Sequence, residues 1–160
     1  MSENLIIAQG SKSEKYEILL QQIKAIVSGE GDNIANMANI VAMIHATFGF
    51  WWTGFYRVTE GELVLGPFQG PLACSRIRFG RGVCGTAWER QQTIIVPDVE
   101  QFPGHIACSS LSRSEIVVPV WHGNTIVAVL DIDSKELATF DMEDKLWLER
   151  IVATLYSDKQ

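Results

Sequence analysis

The chain is short of basic residues: 13 Lys and Arg stand against 19 Asp and Glu, for a net charge of −6. That balance excludes a dedicated binder of nucleic acid or of anionic membranes, since both need a basic face. No stretch approaches the roughly 20 apolar residues of a membrane span. Met1 to Gly10 lacks the basic start of an export signal, and Leu5-Ile6-Ile7-Ala8 is too short for its apolar segment. The expected location is therefore cytoplasmic. Cysteine is sparse and odd in number, at Cys74, Cys84 and Cys108. In a reducing compartment stable disulfides are rare, and thiols that oxidise are usually catalytic or sensing. The three also lack the paired short spacing of a zinc knuckle, so no metal is expected. Internal repeats, low-complexity stretches and linkers are missing as well.

What is present is an ordinary globular mixture, 47% hydrophobic and 20% charged over 160 residues. That is enough for one domain spanning 1–160, stable without disulfide or metal staples. Tyr16, Leu19, Leu20, Ile23, Ile26 and Val27 follow a helical period over 12–28, ended by Gly29 and Gly31. A second helix starts at Asp32 or Asn33, turns Ile34, Met37, Ile40, Val41 and Ile44 inward and stops at Gly49. A last helix begins at Asp141, a good N-cap, and presents Leu146, Trp147, Ile151 and Leu155. Between them the period becomes two, predicting strands at 50–58, 62–68, 76–79, 93–97, 115–121 and 125–134, with one short helix near 83–90. This order predicts an α+β fold with a mainly antiparallel sheet and helices on one side.

Gly80-Arg81-Gly82-Val83-Cys84-Gly85 matches G-x-G-x-x-G after a strand. Asp98 comes too early for a ribose-binding acid, the helix is short, and a hairpin follows rather than βαβ units. The glycines are better explained as letting the backbone turn tightly beside Cys84.

The hairpin 115–134 is more informative. Ile116, Val118 and Val120 form one apolar row, and Ile126, Ala128, Leu130 and Ile132 another. Register follows such rows, because a one-residue slip turns a whole face over. Matching them calls for an odd loop, most simply His122-Gly123-Asn124. Glu115, Asp131 and Asp133 then share the opposite face with Val117, Val127 and Val129, whose apolar character implies a cover. Carboxylates this close raise one another's pKa. A covered cluster of this kind can receive an ammonium group or supply a proton near neutral pH.

Cys108 lies in an irregular loop, Phe102-Pro103-Gly104-His105-Ile106-Ala107-Cys108, close in sequence to Glu115, and His105 is placed to favour its thiolate. Cys84 begins the short helix after Arg76, Arg78 and Arg81, a setting that lowers a thiol pKa. Cys74 sits in the polar turn 70–75. Three thiols on separate loops suit a nucleophile with one or two resolving partners. His45 is expected at a helix surface or in a satisfied core site, and His122 in a turn. In Trp51-Trp52-Thr53-Gly54-Phe55-Tyr56, Trp52, Gly54 and Tyr56 share one strand face and Trp51 and Phe55 the other. One set packs the core; the other can line a pocket suited to a methyl-sulfur group.

Six ordered motifs carry a family resemblance: Trp51-Trp-Thr-Gly-Phe-Tyr56, Gly66-Pro-Phe-Gln-Gly-Pro-Leu-Ala-Cys74, Arg81-Gly-Val-Cys-Gly85, Pro103-Gly-His-Ile-Ala-Cys108, Ser114-Glu-Ile-Val117 and Leu130-Asp-Ile-Asp-Ser134. Together they cover nearly the whole chain, which resembles the free methionine-(R)-sulfoxide reductases, enzymes built on a GAF domain. The resemblance implies a six-stranded antiparallel sheet with the N- and C-terminal helices on one side, commonly in a homodimer. It implies reduction of free L-methionine-(R)-S-oxide rather than the oxidised residue in proteins, with thioredoxin as recycling partner. Carried over by position, Cys108 is the nucleophile, Cys74 the favoured resolving thiol and Cys84 an alternate. Glu115, Asp131 and Asp133 bind substrate and assist proton transfer, with Trp52, Tyr56 and Ile116 as further substrate contacts. Ser109 departs from the family, which often has Asp directly after the catalytic Cys.

The chemistry suits the residues. A sulfoxide oxygen leaves readily only when protonated, so an acid held neutral is required. Thiolate attack on the sulfur leaves a sulfenic acid, which a second thiol condenses to a disulfide, and external exchange restores the dithiol. No metal or organic cofactor is called for. The rivals are a GAF module that binds a small ligand without turnover, and a peroxide-sensing thiol protein.

Overall fold

The computed structural model describes residues 4–106, 108 and 111–157; Ser109 lies outside them. The chain runs α1 (Lys12–Ser28), α2 (Asn33–Phe48), β1 (Trp52–Thr59), β2 (Glu62–Gln69), β3 (Arg76–Arg78), α3 (Gly82–Arg90), β4 (Ile94–Val96), β5 (Ser114–His122), β6 (Thr125–Ser134) and α4 (Met142–Val152). The helices start where side chains satisfy their first amides. Ser11 accepts from Glu14 N–H, Asp32 from Ile34 and Ala35 N–H, and Asp141 with Asp144 makes a capping box.

Six strands form one sheet in the order β3-β2-β1-β6-β5-β4, every pair antiparallel. Helices α1, α2 and α4 cover one side. Tyr16, Ile23, Met37, Ile44 and Leu148 meet Phe55, Ile116, Val118, Leu130 and Ile132 there, all essentially solvent-free. Each such aliphatic side chain contributes roughly 1.5–3 kcal/mol on burial. The second side is covered by α3 and loops, with Val83, Cys84 and Ala87 packed against Val117 and Val129.

Several expectations need correcting. Leu146 is half exposed, and Leu148 joins Ile151 as a core residue of α4. The inward face of α4 runs Asp144, Leu148, Ile151, Val152, because a buried carboxylate occupies the position the apolar pattern passed over. Ile26 and Ile34 are likewise on exposed faces. The β5–β6 register matches the apolar rows, with Ile116 opposite Ile132 and Val118 opposite Leu130. The loop is two residues, however, and His122 pairs Thr125. A bulge supplies the odd residue: Val120 pairs Ala128 while Trp121 pairs Ile126, leaving Val127 extra. The bulge turns Val127 toward the helix-side core rather than the acid face. Trp51 is also not with Phe55: it packs toward the second core, under the Lys135 ammonium, 3.9 Å from its ring centre.

The glycines of the G-x-G-x-x-G segment serve the turn into α3. Gly82 has φ +61°, and a Cβ there would press on Ile106 at 3.1 Å. Nothing about the segment requires a nucleotide.

Candidate active site

Strand alternation on the second side of the sheet builds the site. β1 pairs β6 with Trp52 opposite Asp133, Gly54 opposite Asp131 and Tyr56 opposite Val129. β5 sets Glu115 directly opposite Asp133 and Val117 opposite Asp131. The aromatic row and the acid row therefore lie side by side on one face. Gly54 is required between them: a Cβ there would collide with the Trp52 ring and with Phe68. Trp52 stacks on Phe68 and on Tyr56, with ring centres 5.4 and 5.9 Å apart.

This face bounds a small cavity of about 40 Å³. Eight of the residues singled out in the sequence line it: Trp52, Tyr56, Cys84, His105, Cys108, Glu115, Asp131 and Asp133; Cys74 is tied to this lining through its disulfide to Cys108. Ile116 does not line it. Its side chain is fully buried in the core on the helix side, because a strand residue next to Glu115 must point the other way.

Cys74 and Cys108 are joined by a disulfide, with Cα atoms 5.5 Å apart across 34 residues of sequence. The aromatic wall anchors the Cys74 turn: Tyr56 Oη donates to the Cys74 carbonyl at 2.8 Å and Trp52 Nε1 to the Pro71 carbonyl at 3.1 Å. Burial, followed by the charges of Asp131, Cys84, Asp133 and Glu115, pushes the Tyr56 phenol far up, so it remains a donor.

The acid cluster is short of cations. Burial pushes Glu115 well above the usual carboxylate range, and the neighbouring Asp131 and Asp133 add to the rise. Burial and Asp131 do the same to Asp133, against a 2.8 Å hydrogen bond donated by Ser112 Oγ. Asp133 keeps partial access to the cavity, yet protein surrounds its carboxyl. Asp131 is also raised by burial, but hydrogen bonds from Glu115 and Cys84 pull the other way. Its Oδ1 is buried without a hydrogen-bond partner among the described residues.

Two expectations about the thiols change. Cys84 is free and buried, and its pKa is raised well above normal, first by burial and then by Asp131, Glu115 and Asp133. The arginines that precede it in sequence do not offset this: Arg76 is exposed and pairs with Glu62 at 3.2 Å, and Arg78 is exposed. His105 turns to the acids, its Nε2 3.9 Å from Glu115 Oε1. Burial lowers its pKa despite the pull of Asp131, so at neutral pH it is not the cation that would support a thiolate. Ser112 is a site residue the sequence did not single out; nothing in the Leu-Ser-Arg run before β5 marks it.

His45 is half-buried with its Nδ1 unpartnered among the described residues, and His122, expected in the turn, is instead the exposed last residue of β5, beside Tyr156.

Known proteins with this arrangement are recognisable. The GAF domain family model matches residues 34–156. GAF domain-containing protein A of Dictyostelium discoideum is 58% identical over 97% of this chain and 99% of its own length. The Escherichia coli free methionine-R-sulfoxide reductase is 45% identical over 91% of this chain and 88% of its own. The crystal structure of free methionine-R-sulfoxide reductase from Neisseria meningitidis, in complex with its substrate, superposes with a TM-score of 0.94 at 49% identity, covering 97% of this chain and 94% of that one. The chain belongs to the GAF-domain family of free methionine-R-sulfoxide reductases.

Proposed function

We propose that this protein reduces free L-methionine-(R)-S-oxide to L-methionine. The observation that carries the reading is a redox-capable cysteine pair, Cys74 and Cys108, at the mouth of a cavity floored by buried carboxylic acids. Thiol and proton donor are the two groups that sulfoxide reduction requires.

In the reduced enzyme Cys108 is the nucleophile. Its thiolate attacks the sulfoxide sulfur as an acid of the cluster protonates the sulfoxide oxygen. The sulfur–oxygen bond breaks as the oxygen leaves as water. Water then attacks the Cys108 sulfur, and the new sulfur–sulfur bond breaks with its electron pair going to methionine. Methionine leaves, and Cys108 is left as a sulfenic acid. The Cys74 thiol condenses with it, forming the disulfide and releasing water. Exchange with the dithiol of thioredoxin returns both thiols and oxidises thioredoxin.

The pKa pattern divides the acids. Burial and the neighbouring carboxylates favour the protonated form of Glu115 and Asp133, and one of them is the donor. Asp131, stabilised by the hydrogen bonds of Glu115 and Cys84, carries the charge that meets the substrate ammonium. A methionine sulfoxide residue inside a polypeptide has no such ammonium, which accounts for selection of the free amino acid. Trp52 and Tyr56 give the methyl-sulfur group an aromatic wall. Cys84, buried and held as a thiol, is the less ready resolving partner. The active species is a homodimer working in the cytoplasm.

The test is NADPH oxidation with thioredoxin reductase, thioredoxin and the separate R and S epimers of free methionine sulfoxide. Turnover with the R epimer alone is expected. No turnover with either epimer, together with binding of the ligand, would support the sensor reading instead; disulfide formation with peroxide but not with methionine sulfoxide would mark a peroxide sensor.

A further inference from the structure

The floor of the cavity gathers more acidity than any neighbouring cation offsets. Cys84 Sγ and one carboxylate oxygen each from Glu115 and Asp131 lie within 4.8 Å of one another, all three residues buried. None of the described residues lining the cavity is Lys or Arg. Asp131, 6% exposed, lines this space, and its buried Oδ1 has no hydrogen-bond partner among the described residues. His105 Nε2 stands 3.9 Å from Glu115 Oε1 at the edge of the same group.

Sulfur and carboxylate donors together are a set that suits zinc(II) and its softer relatives rather than magnesium or calcium. A tetrahedral ion bound at about 2.0–2.3 Å holds its donors roughly 3–4 Å apart, so these side chains need close by only about an ångström. The size also fits. A single water needs about 10–15 Å³ of such space, so a cavity of about 40 Å³ has room for an ion and a water. Cys84 takes no part in the disulfide, so its sulfur is available in the oxidised protein.

We propose that Cys84, Glu115 and Asp131, with a water as fourth ligand, form a binding site for a thiophilic divalent cation, zinc(II) foremost, in competition with the substrate. Binding makes a metal–sulfur bond in place of the Cys84 S–H bond and metal–oxygen bonds to the carboxylates, and releases the displaced protons to solvent; no electrons move. The competition rests on the functional reading above, because the ion would occupy the place given there to the ammonium group. The metal site itself does not depend on it.

The oxidised full-length protein, free of thiol reductant and chelator, is titrated with cobalt(II) as a spectroscopic substitute for zinc(II). One ion per chain is expected, with a thiolate-to-cobalt charge-transfer band that zinc(II) abolishes and free methionine-(R)-sulfoxide displaces. Cys84→Ser should lose the band. Asp131→Asn should weaken binding at least about tenfold, the loss seen even for partners of a ligand. It also supplies the test if the serine variant does not fold. Absence of the band, its survival in Cys84→Ser, or unchanged affinity in folded Asp131→Asn would overturn the site. A band unaffected by saturating methionine sulfoxide in a protein active as a reductase would overturn the competition. A band in a protein inactive as a reductase would uphold the site and remove the functional reading; an active reductase without the band would do the reverse.

Discussion

Two aspartates on opposite sides of the sheet are about equally hidden from water and live very differently. Asp144, 1% exposed on the helix side, accepts the Tyr16 hydroxyl at 2.6 Å, the Lys12 ammonium at 2.7 Å and the Asp141 amide at 2.9 Å. Asp131, 6% exposed on the cavity side, has a thiol and a second carboxyl for neighbours, and one oxygen with no partner among the described residues. A buried carboxylate that is fully partnered ties elements together, here α1 to α4. One that is under-partnered is costly to the fold and chemically useful. The helix side of the sheet holds the molecule together, and the cavity side holds its reactivity.

The strongest way to break this contrast is at the thiols. Cys108→Ser should abolish methionine release in a single turnover with reduced enzyme, while Cys74→Ser should release about one methionine per site and then stop, since the sulfenic acid still forms. Both variants should unfold near the wild-type temperature of the reduced protein, because neither cysteine belongs to the buried cores. Release of methionine by Cys108→Ser would refute the assignment of the nucleophile.

The next effect sets activity against stability within one residue. Glu115→Gln removes a proton donor or its close partner, and the rate should fall about 10²–10⁴-fold. The same change should raise stability at neutral pH. Glu115 has a folded-state pKa well above its unfolded value. The folded chain therefore keeps a proton that the unfolded chain has lost, and stability declines as pH rises through the unfolded value of about 4 toward the folded one. Subtracting the denaturation curves of Glu115→Gln from those of the wild type across this range should isolate that decline. Equal pH slopes in the two proteins would mean that Glu115 is not held protonated.

How far the sequence carried this contrast depends on how local the signal was. Glu115, Asp131 and Asp133 were legible because a hairpin has period two and its apolar rows admit one register at the acid end. Trp52 and Tyr56 followed from the same alternation in β1. The bulge at Val127 was not legible, since an odd loop and a two-residue loop with a bulge satisfy the same rows. Leu148 was missed for a different reason: Asp144 reads as a surface residue until Tyr16 and Lys12 of α1 are brought to it. The character of Cys84 was misjudged because its sequence neighbours are arginines, whereas its neighbours in space are acids delivered by β5 and β6. Ile116, a contact implied by the resemblance, turns its side chain to the helix-side core, because neighbours in a strand point to opposite faces.

On the helix side, Asp144→Ala should lower stability by about 1–3 kcal/mol, the cost of leaving buried hydrogen-bond partners unsatisfied, and leave kcat unchanged. Chemical denaturation and the steady-state assay measure the two halves. A fall in kcat with little change in stability would mean that the two sides of the sheet are coupled, and the contrast drawn above would fail.

The smallest change asks how much of that network is the ion pair. The Lys12 side chain is 32% exposed, so water and salt already screen its attraction to Asp144. Asp144 would retain the Tyr16 hydroxyl and the Asp141 amide if the ammonium were removed. Lys12→Met, which keeps most of the aliphatic stem, should therefore cost no more than about 1 kcal/mol, the upper end for partly exposed pairs. The loss should shrink further in high salt, whereas that of Asp144→Ala should persist, because neutral hydrogen bonds to buried groups are not screened. A salt-insensitive loss of several kcal/mol in Lys12→Met would show that the ammonium is the main partner. Asp144 would then differ from Asp131 by one cation rather than by a full set of hydrogen bonds.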